Sequence, residues 1–205
     1  MGLGFGVVHD YGEPLLEKLA GVAVGKDLIS KRWSAIECEM SLISKDMGSV
    51  AHRWDVDLSA VLRLNAAEEA ATSYFDVAKL EYLLAQAFYV CGVDRGGAAF
   101  LLAFDETADY ESPNYQWFRE RLSRFVYVDR VVVAEPRRGQ GLGRKLYSDL
   151  AIAMSMSNRR VLTCEVNFDP PNPVSDAFHA ALGFRELGRG SPVVGKTVRY
   201  LICYL

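Results

Sequence analysis

The most β-prone run in the chain, Phe125–Val133, is rich in β-branched and aromatic residues and predicts a buried strand. After it, residues 141–157 carry Leu142, Leu146, Leu150, Ala153 and Met154 at helical spacing, and Asn158 suits a left-handed helix stop. Arg160–Asn167 is strand-like again. Strand, helix and strand in this order form a βαβ unit, whose two strands run parallel through a right-handed crossover.

Other segments give shorter signals. Residues 13–23 and 28–43 show loose helical periodicity, and 1–57 as a whole reads as a helical extension of unassigned role. Val61–Leu64 predicts a short strand, and Asn65 an N-cap for a helix over 66–75. Asp76 predicts a second N-cap, for a helix that gives way to strand near Tyr89–Val93. Asp94–Gly97 is a turn, with Ala98–Phe104 as the return strand of a hairpin. Residues 105–124 are polar and aromatic and predict a binding loop. Asn172-Pro173 opens a helix that runs to Leu182 and stops at Gly183, and 184–187 with 196–204 close the chain as a hairpin. The fold class that follows is α/β, with a mixed sheet.

Composition removes several functions. Half of the 205 residues are apolar, which suffices for one substantial domain. A net charge of −3 and a pI near 5.7, with Lys and Arg scattered, give no nucleic-acid footprint. No run of 18 apolar residues predicts a membrane span, no basic leader precedes an apolar one, and a cytoplasmic location is expected by default. Cys38, Cys91, Cys164 and Cys203 lie far apart and read as reduced, and with three histidines no metal site is expected.

Chemistry concentrates in Arg138-Gly139-Gln140-Gly141-Leu142-Gly143-Arg144, between the strand and the helix. Glycines let the backbone approach a ligand closely, and the helix start offers unpaired N–H groups and a positive dipole end, which together suit a pyrophosphate. A magnesium-dependent P-loop is excluded because Lys145 and Leu146 follow where Gly-Lys-Ser/Thr is needed. A dinucleotide fingerprint fits poorly, because Arg144 stands where its third glycine belongs.

The segment does match Q/R-x-x-G-x-G/A, and with the preceding strand it resembles the acetyl-CoA-binding motif of the GNAT N-acetyltransferase superfamily. The resemblance spans about 58–205, so that 58–205 reads as the N-acetyltransferase domain. It is similar to a bacterial branch of uncharacterised predicted acetyltransferases through residues 112–118 and 164–167. It implies a mostly antiparallel sheet with a central, splayed parallel pair, flanking helices, and acetyl-CoA as cosubstrate. It also implies acetyl transfer to a primary amine by direct attack, with a small-molecule or peptide amine as partner, and a homodimer through the terminal strands. Two rivals stay open: a non-catalytic acyl-CoA sensor, and a protein N-terminal or lysine acetyltransferase.

Carried over by position, Val131, Val132 and Val133 would pair with the pantetheine arm. Arg138, Gly139, Gln140, Gly141, Leu142, Gly143 and Arg144 would hold the pyrophosphate, and Asn172 and Ser175 would complete the cofactor site. The family's general-acid tyrosine is replaced by His179, which reads equally as an acid or as a packed side chain. Glu165 is the expected base, with an ion pair to Arg130 or Arg160 as its structural alternative, and Cys164 should face the other side of the sheet. Tyr110, Asn114, Tyr115 and Trp117 are candidates to enclose the acceptor, or else belong to a packed surface loop.

Overall fold

The computed structural model describes residues 50–52, 56–68 and 73–205. Its elements, in chain order, begin with strand β1 (Val50–His52) and helices α1 (Leu58–Ala67) and α2 (Val77–Gln86). Strands β2 (Tyr89–Val93) and β3 (Ala99–Asp105) lead to helix α3 (Pro113–Arg119) and strand β4 (Val126–Val133). Helix α4 (Leu142–Met156), strand β5 (Val161–Asp169), helix α5 (Pro173–Leu182) and strands β6 (Arg185–Val193) and β7 (Lys196–Tyr204) complete it. The helices expected over 13–23 and 28–43 lie outside the described residues. Among the described residues no helix is long and apolar enough to cross a membrane.

Among the described residues the sheet has seven strands in the order β1-β2-β3-β4-β5-β7-β6, and β4–β5 is its single parallel pair. The expected mixed, mostly antiparallel sheet is present. Alternation along the strands sends apolar side chains to both faces, so each face needs cover. Leu142, Leu146, Leu150 and Met154 of α4 pack one face with Leu182 and Phe184. The other face holds Val61 and Leu64 of α1, Leu80 and Leu83 of α2, Tyr115 and Phe118 of α3, and Tyr127 and Tyr200.

Two local expectations fail. Val61–Leu64 is not a strand but the middle of α1, because the Asp57 side chain accepts from the N–H groups of Ser59 and Ala60 and starts a helix. The pattern of Ala60, Val61 and Leu64 then falls on one buried helical face. Asn65 caps nothing: it is buried in α1, donating to the Ser73 carbonyl and accepting from Arg130. The Asp76 cap forms, on Lys79 N–H. The loop expected over 105–124 contains α3, which opens on Pro113 at its first turn.

Candidate active site

Strands β4 and β5 part early. Their register holds for two pairs, Val126 with Leu162 and Tyr127 with Thr163, and ends there. The cause lies on the other edge of β4, where Leu102 pairs with Arg130 and Ala103 with Val128, so that Asp129 is an extra residue. A bulge of this kind bends its strand and increases its twist. Beyond it, β4 presents Val131, Val132 and Val133 to a cleft of about 550 Å³.

That cleft gathers most of the expected cofactor residues. Val131 to Val133 form one wall; Arg138, Gly139, Gly141, Leu142, Gly143 and Arg144 line the mouth; Asn172, Ser175 and His179 face them from α5. Gly141 has φ 76°, a left-handed conformation that costs a side-chain-bearing residue about 1–2 kcal/mol, and it begins α4 with no side-chain cap. The first turn of α4 therefore keeps its N–H groups for an anion. Gln140 does not line the cleft. Its amide accepts from Arg137 Nε at 3.1 Å and donates to the Pro136 carbonyl, bracing the loop from outside.

Glu68, Val174 and Phe178 also line the cleft and were not anticipated. Glu68, just past the end of α1, forms an ion pair with Arg138 across the mouth, while Arg138 Nε also donates to the Val133 carbonyl at 3.3 Å. No local pattern around Glu68 points to a partner so distant in the chain.

His179 is buried, at 3% exposure, and edge-on to Tyr147, Phe178 and Phe184. Its Nδ1 lies 2.8 Å from the Ser175 carbonyl, which can only accept, so the proton sits on Nδ1. Nε2 then accepts from the Tyr147 hydroxyl at 2.9 Å. Both ring nitrogens are occupied, and burial pushes the imidazole below its ordinary value, toward the neutral form.

Glu165 projects to the opposite face of the sheet from Cys164, as strand alternation requires. Its Oε2 accepts from the Tyr127 hydroxyl at 2.7 Å and its Oε1 from the Asn114 amide at 2.8 Å. The expected alternative, an ion pair with Arg130 or Arg160, does not form. Arg130 instead pairs with Asp129 at 2.7 Å and binds Asn65 and Ser73. Burial among neutral donors, reinforced by the Asp129 charge and opposed by the bonds from Tyr127 and Asn114, pushes the Glu165 carboxyl up to about 7.

The aromatic candidates separate. Tyr115 is wholly buried, its hydroxyl donating to the carbonyls of Asp105 and Ala108, so it is a core residue and not an acceptor contact. Tyr110 is also buried, stacked on Phe104 and donating to Asp129 at 2.6 Å. Trp117 is half-buried, stacked on Tyr200 at 4.0 Å between ring centres and covered by Arg121. Asn114 lies beside it, with Tyr200 donating to its Oδ1 at 3.2 Å. Tyr200 was not singled out in the sequence; its 86-residue separation from Asn114 leaves no local trace.

Most of this layout lies within a stretch that resembles a known protein family. Residues 112–184 fit the model of the acetyltransferase (GNAT) family. The matched stretch holds α3, β4, α4, β5 and α5. GNAT proteins are acyltransferases with acetyl-CoA as cosubstrate, and the fold agrees with many solved members. A ribosomal-protein-alanine N-acetyltransferase from Brucella melitensis is 22% identical, with TM-score 0.54, covering 77% of this chain and 99% of that one. Ard1 from Thermoplasma volcanium is 16% identical, with TM-score 0.56 and 78% and 98% covered. The yncA protein of Salmonella typhimurium, solved with its cofactor acetyl-CoA, is 17% identical, with TM-score 0.53 and 78% and 95% covered. Among curated proteins, none matches this chain.

Proposed function

We propose that the protein acetylates a small primary amine, with Glu165 as the base that accepts the amine's proton. The observation that carries this reading is the Glu165 carboxylate itself, held at the split in the sheet by two neutral donors and, among the described residues, by no cation. A carboxyl near 7 is about half ionised at neutral pH and holds a proton far better than an ordinary glutamate. An incoming ammonium supplies the missing positive charge and, once it has passed its proton to Glu165, is a neutral nucleophile.

Acetyl-CoA supplies the acyl thioester. Its diphosphate fits the uncapped start of α4 and the Arg138 and Arg144 side chains, and its amide-bearing arm fits the free edge of β4 at Val131 to Val133 by strand addition. Asn172 holds the start of α5 by accepting from Ser175 N–H at 3.1 Å. His179 serves as a fixed wall of the cleft rather than as the acid, since acting as donor would require it to leave Tyr147 or take up a second proton inside an aromatic cage.

A small acceptor is favoured over a protein surface because Glu165 is bonded to Asn114, which in turn is tied to Tyr200 and its stack on Trp117, so the carboxylate sits among packed side chains. Thiol release from acetyl-CoA, measured over a panel of primary amines and short peptides, tests the assignment. Glu165→Gln should lower turnover by about a hundredfold or more with acetyl-CoA affinity unchanged. Undiminished turnover in that variant would remove Glu165 from the role, and turnover confined to peptides would move the acceptor class to polypeptide amines.

A further inference from the structure

Asn114 is the second residue of α3, and both ends of its amide are engaged. Nδ2 donates to Glu165 Oε1 and Oδ1 accepts from the Tyr200 hydroxyl. The first bond settles the second: an ionised carboxylate can only accept, so the NH2 end of the amide faces Glu165 and Oδ1 is left to accept from the Tyr200 hydroxyl. Tyr200 is in turn immobilised. It stacks on Trp117, meets Phe118 edge-on at 5.3 Å, and lies against Gly190, where a Cβ would come within 2.8 Å of the ring. With Tyr127 on the other oxygen, the carboxylate is gripped from α3, β4 and, through Tyr200, β7.

We propose that Asn114 and Tyr200 form a positioning clamp that orients the Glu165 carboxylate and stabilises its charged form, and that Asn114 is therefore not a contact for the acceptor. The inference rests on the reading of Glu165 as the base. An amide NH2 can only donate, so it favours the ionised carboxylate, against burial and against the Asp129 charge. The other titratable groups facing Glu165 are Tyr110, Tyr127 and Tyr200 on its own face and, across the sheet, Tyr147 and Cys164. All are neutral near pH 7, and Arg130 is engaged by Asp129. Losing the Asn114 donor is thus not compensated by a neighbour.

The test needs no acceptor. In full-length protein labelled with 13C at the glutamate side-chain carboxyl, the Glu165 resonance is identified by its absence from Glu165→Gln and followed against pH by NMR. The wild-type midpoint should lie near 7. Asn114→Ala should raise it by on the order of one pH unit, the effect of one hydrogen bond to a charged group. Tyr200→Phe, which keeps the amide but frees it to turn, should raise it by less. Acetyl-CoA affinity, read by calorimetry, should be unchanged in both. An unmoved midpoint in Asn114→Ala overturns the clamp, and so does an unmoved midpoint in Tyr200→Phe if the alanine variant fails to fold. If both midpoints move while Glu165→Gln turns over at the wild-type rate, the clamp stands and the assignment of Glu165 as base fails instead.

Discussion

Replacing Glu165 with glutamine should stabilise the protein, and the gain should grow with pH. A carboxyl that titrates near 7 in the fold and at 4.5 when unfolded holds its proton more tightly in the native state. As pH rises through this window the unfolded chain loses the proton first, so native stability falls, at about 1.4 kcal/mol for each pH unit. The charged carboxylate then destabilises the fold by about 1 kcal/mol at pH 5 and on the order of 3 kcal/mol at pH 8. Glutamine cannot ionise, and its amide is accommodated if the Asn114 amide turns over, accepting from the introduced NH2 group and donating to Tyr200 Oη. Urea denaturation of both proteins at pH 5, 6, 7 and 8 measures the difference, and at pH 8 the melting temperature should rise by on the order of 10 °C. A difference that is the same at pH 5 and pH 8, or a variant less stable at pH 8, would refute the claim that this carboxylate is held against its own charge.

Three further outcomes are expected. Glu68→Gln removes a negative charge that competes with the cofactor phosphates for Arg138, and acetyl-CoA affinity in calorimetry should rise about fivefold, with the gain shrinking in high salt. His179 is folded as the neutral ring, so it contributes a loss of stability as pH drops below its ordinary value of 6.5; His179→Asn, compared with wild type by denaturation at pH 5 and pH 7, should lose less between the two. Gly190→Ala places a Cβ within 2.9 Å of the Tyr200 hydroxyl, which should displace the ring and lower turnover about tenfold while leaving acetyl-CoA affinity intact; an unaffected turnover would free Tyr200 from any role.

Legibility in the sequence followed the range of the interactions. α4 and α5 announced themselves because their caps and stripes are local: Asn172 caps α5 and Gly183 ends it at φ 93°. The parallel pair followed from them, and the two faces of β5 from simple alternation at Cys164 and Glu165. Helix α1 was missed because Val61-Leu62-Arg63-Leu64 reads as alternation until Asp57 is recognised as its cap. Helix α3 was hidden by its length of seven residues, too short for a periodic signal. The bulge at Asp129 falls on the charged Asp129-Arg130 pair, which a strand of otherwise β-prone residues carries as ordinary alternation, so the point where the sheet opens does not announce itself. Partners of the site residues were the least legible: Asn114 with Glu165, Tyr200 with Asn114 and Glu68 with Arg138 are each set by topology rather than by neighbours in the chain.

The two-rung contact between β4 and β5 has a consequence for anyone who wishes to divide this chain. The segment that family comparison finds, 112–184, contributes just those two strands to the sheet, joined by Val126–Leu162 and Tyr127–Thr163. Their extended partners, β3 on one side and β7 on the other, lie outside it. A fragment cut at those limits would keep the signature and lose the scaffold, exposing two long strand edges and leaving Arg130 without Asn65 and Ser73. The stretch that identifies the ligand chemistry and the stretch that folds are different lengths of the same chain, and the second must be expressed for the first to work.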